Sequence, residues 1–120
     1  MYTVIFLDEA CKDIDGLDGS VRLQVLAGIR RVSGNPLPQN EGGYGKPLGN
    51  RNGNNLTGLY KIKFSDIGIR VVYALDKPNE IMIIAVVSAR EENECYKIAG
   101  KRKKAKDNSS SRDKFKTNNF

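Results

Sequence analysis

The chain contains the segment Leu59-Tyr60-Lys61-Ile62-Lys63-Phe64, and the segment Gly68-Ile69-Arg70-Val71-Val72-Tyr73 follows after a three-residue link. The first segment alternates apolar and cationic side chains with a period of two, which is the period of a β-strand. On a strand, Lys61 and Lys63 lie on one face and the apolar residues lie on the other. The short link predicts a hairpin that brings Arg70 close to the two lysines. These segments therefore predict a small sheet with one cationic face, which is suited to binding a polyanion.

Length and composition limit the class of protein. The 120 residues, of which 39% are hydrophobic, predict a single domain with one modest core. No long apolar run predicts a transmembrane helix, and the first eight residues lack the basic region of a secretory signal. Cys11 and Cys95 are interpreted as reduced thiols of a cytoplasmic protein. Histidine is absent from the sequence and no acidic cluster suits a metal, so neither a metal site nor a cofactor is predicted.

The net charge of +6 is unevenly distributed. Residues 1–99 hold 12 Lys and Arg and 12 Asp and Glu, whereas residues 100–120 hold 8 Lys and Arg and 2 Asp. The excess of positive charge therefore belongs to the C-terminal segment. A claim of nucleic-acid binding by the domain must rest on the local cationic face and not on the net charge.

The remaining patterns predict an α+β fold in the order β-α-α-β-β-β-α. We expect a small antiparallel sheet with two N-terminal helices on one face and a short C-terminal helix. The predicted elements are a strand at 2–7, helices at 9–15 and 20–33, strands at 58–64, 68–75 and 80–88, and a helix at 91–99. The segment 34–58 holds seven Gly, three Pro and six Asn and is predicted to be a long loop. Residues 100–120 are predicted to be a basic, disordered tail outside the domain of residues 1–99.

This order of elements and its residues resemble the RelE/ParE toxin superfamily of bacterial toxin–antitoxin pairs. The resemblance covers residues 1–99 and is carried by Lys46-Pro-Leu-Gly, Gly58-Leu-Tyr-Lys-Ile-Lys-Phe, Gly68-Ile-Arg-Val-Val-Tyr, Ser88-Ala-Arg-Glu and Tyr96. It is strongest to the RelE branch, whose members cut messenger RNA on the ribosome. The resemblance implies a RelE-like fold, a cognate antitoxin, the ribosome and mRNA as partners, and no membrane or small-molecule cofactor. The implied active-site residues are Lys61, Lys63, Arg70, Arg90 and Tyr96.

The implied activity is metal-independent endoribonuclease cleavage, in which the 2′-hydroxyl attacks the adjacent phosphorus. A lysine normally titrates near about 10.4, but neighbouring cations are expected to lower the pKa of a lysine in this cluster. Either Lys61 or Tyr96 is then the general base, and Lys63 and Arg70 stabilise the transition state. Arg90 is a general acid or a phosphate clamp. Whether it faces the phosphate or pairs with Glu91, Glu92 or Glu94 stays open.

Two other functions remain open at this stage. A ParE-like relative would inhibit DNA gyrase without catalysis, and a catalytically degenerate relative would only bind RNA. The strand lysines alone would be interpreted as the solvated face of a sheet. Their occurrence together with Arg70, Arg90 and Tyr96 favours the ribonuclease.

Overall fold

The structure, a computed structural model, describes residues 1–51, 54–89 and 92–108. It contains five strands and three α-helices in these ranges. They are β1 (Thr3–Phe6), α1 (Asp8–Asp15), α2 (Gly19–Val32), β2 (Lys46–Arg51), β3 (Asn54–Phe64), β4 (Ile69–Asp76), β5 (Ile81–Ser88) and α3 (Glu92–Asn108). The predicted α+β class and the predicted order of elements are confirmed, and β2 is an addition to them. No helix in the described ranges has both the length and the hydropathy needed to cross a membrane.

The five strands form one sheet in the order β1-β5-β4-β3-β2. β3, β4 and β5 make the predicted antiparallel meander. β1 adds to β5 in parallel, so the sheet is mixed rather than wholly antiparallel. β5 is buried from Met82 to Ser88, so its apolar run is covered on both faces.

The contact of α2 with β3 shows which face of the sheet this helix covers. In α2, Gly28 lies so close to the ring of Phe64 that an added Cβ would overlap it. Phe64 and Lys63 are neighbours on a strand and point to opposite faces. α2 therefore packs on the apolar face of β3, opposite the lysines. The apolar stripe of α2 buries Val25, Ile29 and Val32, whereas Leu26 stays 36% exposed.

The prediction of a loop over 34–58 was wrong for its second half. Residues 46–51 form β2, and β3 begins at Asn54 rather than at residue 58. The preceding loop is also ordered, because the buried hydroxyl of Tyr73 donates a hydrogen bond to the carbonyl of Pro36 at 2.8 Å. Gly49 and Gly58 adopt positive φ angles of 61° and 86°, so glycine here permits the bends of the two paired strands. Glycine-rich composition misled the prediction because the strand partner supplies the stabilising hydrogen bonds.

The prediction that the last helix ends near residue 99 and that a disordered tail follows was wrong for residues 100–108. α3 continues to Asn108. Arg102 donates hydrogen bonds to the carboxylate of Asp13 at 2.8 Å and to the carbonyl of Ala85 at 2.6 Å. Lys103 donates to the carbonyl of Thr57 at 2.8 Å. Basic residues that the composition assigned to a tail thus anchor the helix to the sheet. The rest of the predicted tail, residues 109–120, lies outside the described residues.

Candidate functional site

The sheet register brings three of the five predicted site residues together. Lys63 lies directly opposite Arg70 across β3 and β4, and Lys61 lies opposite Val72. Residues opposite each other on antiparallel strands share a face, as do residues two apart on one strand. Lys61, Lys63 and Arg70 therefore project from one face, as predicted. Lys63 is exposed, whereas Lys61 and Arg70 are partly buried.

Tyr96 reaches the same face from α3. The ammonium nitrogen of Lys61 lies 5.8 Å from the centroid of the Tyr96 ring, within the range of a cation–π contact. Tyr96 is only 1% exposed, so its ring belongs to the core beneath Lys61. The structure therefore joins Tyr96 to the cluster, but as a buried support of a lysine.

The fifth predicted residue, Arg90, lies outside the described residues. The chain that precedes it is described and reaches the cluster, because Ser88 lies opposite Arg70 in the register of β4 and β5. Ser88 is buried and Ala89 is exposed. The main chain therefore leaves the sheet beside Arg70 immediately before residue 90.

A fourth cation, which the sequence argument did not assign to the site, stands at the end of this row. Lys46 on β2 lies directly opposite Lys61 on β3 and is exposed. Leu48, two residues later, is 4% exposed, and the register shifts between Pro47 and Gly49. Such a bulge re-aims side chains, so Lys46 and Leu48 need not share a face. Lys46 belongs to one of the segments that resemble the toxin superfamily, but its position opposite Lys61 depends on a strand that the composition did not predict. We call Lys46, Lys61, Lys63 and Arg70 the cation row.

The cation row places like charges opposite each other, which lowers the stability of the sheet. Two of its cross-strand pairs, Lys46 with Lys61 and Lys63 with Arg70, place like charges directly opposite each other. Such pairs destabilise a sheet, by an amount comparable to the roughly 0.2–1 kcal/mol that favourable pairs contribute. The arrangement is suited to binding a phosphodiester, whose negative charge would relieve the repulsion.

The helix that carries Tyr96 is held by a polar contact behind the site. Asp13 in α1 accepts a hydrogen bond from the main-chain N–H of Val87 at 3.0 Å and forms the ion pair with Arg102. β1 pairs with β5 only as far as Ile84, so Asp13 replaces a strand partner for the end of β5. This contact holds α1, β5 and α3 together. It therefore helps to hold Tyr96, which α3 carries, beneath Lys61.

The other chemically reactive groups lie elsewhere. In the described ranges, no group of three or more His, Cys, Asp and Glu side chains is placed to hold a metal ion. Cys95 is fully buried, as expected for a structural thiol. Partial burial and, after it, the charges of Asp8 and Asp15 raise the pKa of the Cys11 thiol, which makes it a poor nucleophile.

Comparison with known proteins indicates the same class of protein as the sequence motifs, the RelE-like toxins. No family model and no curated protein sequence matches the chain. Among solved structures, the isolated toxin RelE of E. coli matches with a TM-score of 0.62 and 25% identity, over 85% of this chain and 98% of that one. A RelE variant with two arginines replaced by alanine, in the free state, matches with a TM-score of 0.66 and 26% identity, over 84% and 96%.

A third match is more distant. The toxin–antitoxin complex RelBE2 of Mycobacterium tuberculosis matches with a TM-score of 0.53 and 24% identity, over 74% of this chain and 91% of that one. At this identity the match speaks for the fold alone. The two matches to RelE of E. coli support the assignment of this chain to the RelE-like toxin superfamily, as the sequence motifs predicted.

Proposed function

We propose that this chain is the toxin of a toxin–antitoxin pair and that it cleaves mRNA on the ribosome, using the cation row. The observation that carries the proposal is the register that sets Lys63 against Arg70 and Lys46 against Lys61. The register places these cations on one face before RNA binds, so they need little reorganisation when charge develops on a bound phosphate. The sequence resemblance to the RelE branch supports the choice of RNA as the polyanion, and the structural match to the RelE toxin of E. coli agrees with that resemblance.

In the proposed reaction, the 2′-hydroxyl loses its proton and its oxygen attacks the neighbouring phosphorus. The bond from phosphorus to the 5′-oxygen breaks, leaving a 2′,3′-cyclic phosphate and a 5′-hydroxyl end. Lys63 and Arg70 bind the non-bridging oxygens, where negative charge increases in the transition state. Arg90 is retained as the general acid or phosphate clamp. DNA lacks the 2′-hydroxyl and does not react in this way.

Of the two candidates for the general base, the geometry favours Lys61. Tyr96 is 1% exposed, whereas Lys61 is partly exposed and lies over its ring. As a general base Lys61 would accept the proton as a neutral amine, so it must lose its own proton before it acts. Tyr96 then holds the amine in position. Because no histidine is present, such a base is poorly matched to neutral pH and the rate depends on positioning of the RNA. This dependence is consistent with a requirement for the ribosome.

The proposed partners follow from the same surface. An antitoxin that places acidic side chains on the cation row would neutralise it and block the phosphate site. Solved relatives include a RelE variant in complex with an antitoxin RelBc peptide, at 24% identity to this chain. We propose that this chain has a cognate antitoxin of its own, with the ribosome and mRNA as its targets.

The test is a translating extract to which the purified protein is added, with new mRNA 5′ ends mapped by primer extension. Wild-type protein should produce cuts within codons. Arg70→Ala should lower the rate by roughly 10²–10³-fold, because it removes a preorganised donor to the transition state. Arg30→Ala is the matched control, since Arg30 is exposed on α2 and lies away from the row.

Circular dichroism should show that all three proteins are folded. An Arg70→Ala protein that cuts at the wild-type rate would refute the assignment of the site. A folded wild-type protein that produces no new ends would refute the ribonuclease itself, and trapped gyrase–DNA breaks in its place would identify a gyrase poison.

A further inference from the structure

The cation row ends at the edge of the sheet, because β2 is its last strand in the part of the chain that the structure describes. Lys46 is therefore the outermost cation of the row, one strand beyond Lys61. Neighbouring strands are about 4.8 Å apart, so Lys46 is offset from Lys61 across the sheet rather than along β3. An RNA strand that crosses the sheet from a scissile phosphate at Lys61, Lys63 and Arg70 toward this edge would pass Lys46.

An exposed aromatic side chain precedes Lys46. Tyr44 lies two residues earlier and is 58% exposed. A single exposed tyrosine is common on protein surfaces and needs no special explanation. Two features distinguish this one: it lies two residues before the outermost cation in the sequence, and the loop that carries it is ordered.

The loop around Tyr44 is held by main-chain hydrogen bonds on both sides. The N–H of Tyr44 donates to the carbonyl of Asn35 at 3.1 Å, and the N–H of Gly45 donates to the carbonyl of Leu37 at 3.0 Å. The carbonyl of Gly45 accepts from the N–H of Gln39 at 2.8 Å. Gly45 also lies against the hydroxyl of the buried Tyr73, where an added Cβ would collide. The backbone therefore presents the Tyr44 ring from a fixed position.

We infer that Lys46 and Tyr44 form a subsite for the nucleotide next to the scissile phosphate of single-stranded RNA. The ammonium group of Lys46 binds the phosphate of that nucleotide, and the ring of Tyr44 stacks on its base. This inference rests on the proposed function, because it takes the scissile phosphate to lie on the cation row. It adds a positioning role for two residues outside the proposed catalytic set.

The test measures binding of a short oligoribonucleotide that carries one 2′-deoxy sugar at the mapped cleavage position and is therefore not cut. For a single strand, each phosphate contact contributes about −0.7 to the slope of the logarithm of affinity against the logarithm of salt concentration. Lys46→Ala should make this slope less steep by about 0.7, and Lys46→Arg should restore it. Lys12→Ala, which removes an exposed lysine of α1, should leave the slope unchanged.

The stacking contact has its own test. Tyr44→Ala should weaken binding by about tenfold and Tyr44→Phe should retain the wild-type affinity, because stacking requires the ring and not the hydroxyl. In a series of oligonucleotides with one abasic position each, a single position should abolish the difference between wild type and Tyr44→Ala. That position identifies the stacked nucleotide.

The inference is overturned if wild type and Lys46→Ala have equal slopes, if the wild type shows no saturable binding, or if no abasic position removes the effect of Tyr44→Ala. These results would leave the ribonuclease proposal intact, provided that the wild type cuts mRNA in the translating extract and Arg70→Ala does not. Failure of that cleavage assay would remove the basis of both proposals.

Discussion

Replacing Lys63 by glutamine should make the protein more stable and less active. Lys63 is exposed and stands directly opposite Arg70, and Lys61 lies on the same face about 7 Å along the strand. Removing one charge relieves both repulsions. A like-charge pair in this position is destabilising by roughly 0.2–1 kcal/mol, so we expect a gain of about 0.5 kcal/mol. For a domain of about 100 residues, that gain corresponds to a rise in Tm of roughly 2–4 °C.

The assay is thermal unfolding followed by circular dichroism, at low salt and at about 1 M NaCl, combined with the mRNA cleavage assay. The rise in Tm should shrink at high salt, because the repulsion is screened. Lys12→Gln is the control. Asp8 lies one helical turn before Lys12 in α1, so removing the charge of Lys12 relieves no repulsion and should not raise the Tm. A Lys63→Gln protein with an unchanged or lower Tm and full cleavage activity would refute the argument that repulsion is maintained for catalysis.

Three further changes test the surroundings of the site. Tyr96→Phe should keep the cleavage rate within about threefold of the wild-type rate. Tyr96→Ala should lower the free energy of unfolding by about 3–5 kcal/mol. A folded but inactive Tyr96→Phe protein would assign the proton transfer to the hydroxyl of Tyr96 instead of to Lys61. Asp13→Ala should cost about 1–3 kcal/mol in urea unfolding, because it leaves the N–H of Val87 without its acceptor and leaves the partly buried guanidinium of Arg102 with the carbonyl of Ala85 but no carboxylate. An unchanged midpoint would contradict this role. Alkylation of Cys11 by iodoacetamide at pH 8 should be slower in the native protein than in urea, because burial and two nearby aspartates raise the pKa of the thiol and lower its thiolate fraction. Equal rates in the two states would contradict a raised pKa of Cys11 in the folded protein.

The sequence was sufficient for the part of the fold that local patterns determine. Alternation and short links predicted β3, β4 and β5, and the hairpin between β3 and β4 predicted that Arg70 would meet the two lysines. In these cases, the interaction that stabilises the element is encoded within the element or in its immediate neighbour.

The missed features depend on contacts between distant segments. β2 is rich in residues that disfavour strands, and it forms because the long strand β3 offers its edge. Lys46 could not be placed opposite Lys61 without that pairing. The length of α3 depends on Arg102, whose partners Asp13 and Ala85 lie 89 and 17 residues away. Composition alone assigned the same arginine to a disordered tail.

The central claim is that the cation row cleaves RNA through its 2′-hydroxyl. The most direct measurement uses purified ribosomes programmed with an mRNA that carries one 2′-deoxy sugar at the mapped cleavage position, with the all-ribose mRNA beside it. The account predicts that the wild-type protein cuts the all-ribose mRNA, leaves a 5′-hydroxyl end, and does not cut the deoxy-substituted mRNA at that position. Equal cutting of the two substrates, or cutting of the all-ribose mRNA by Arg70→Ala at the wild-type rate, would contradict it.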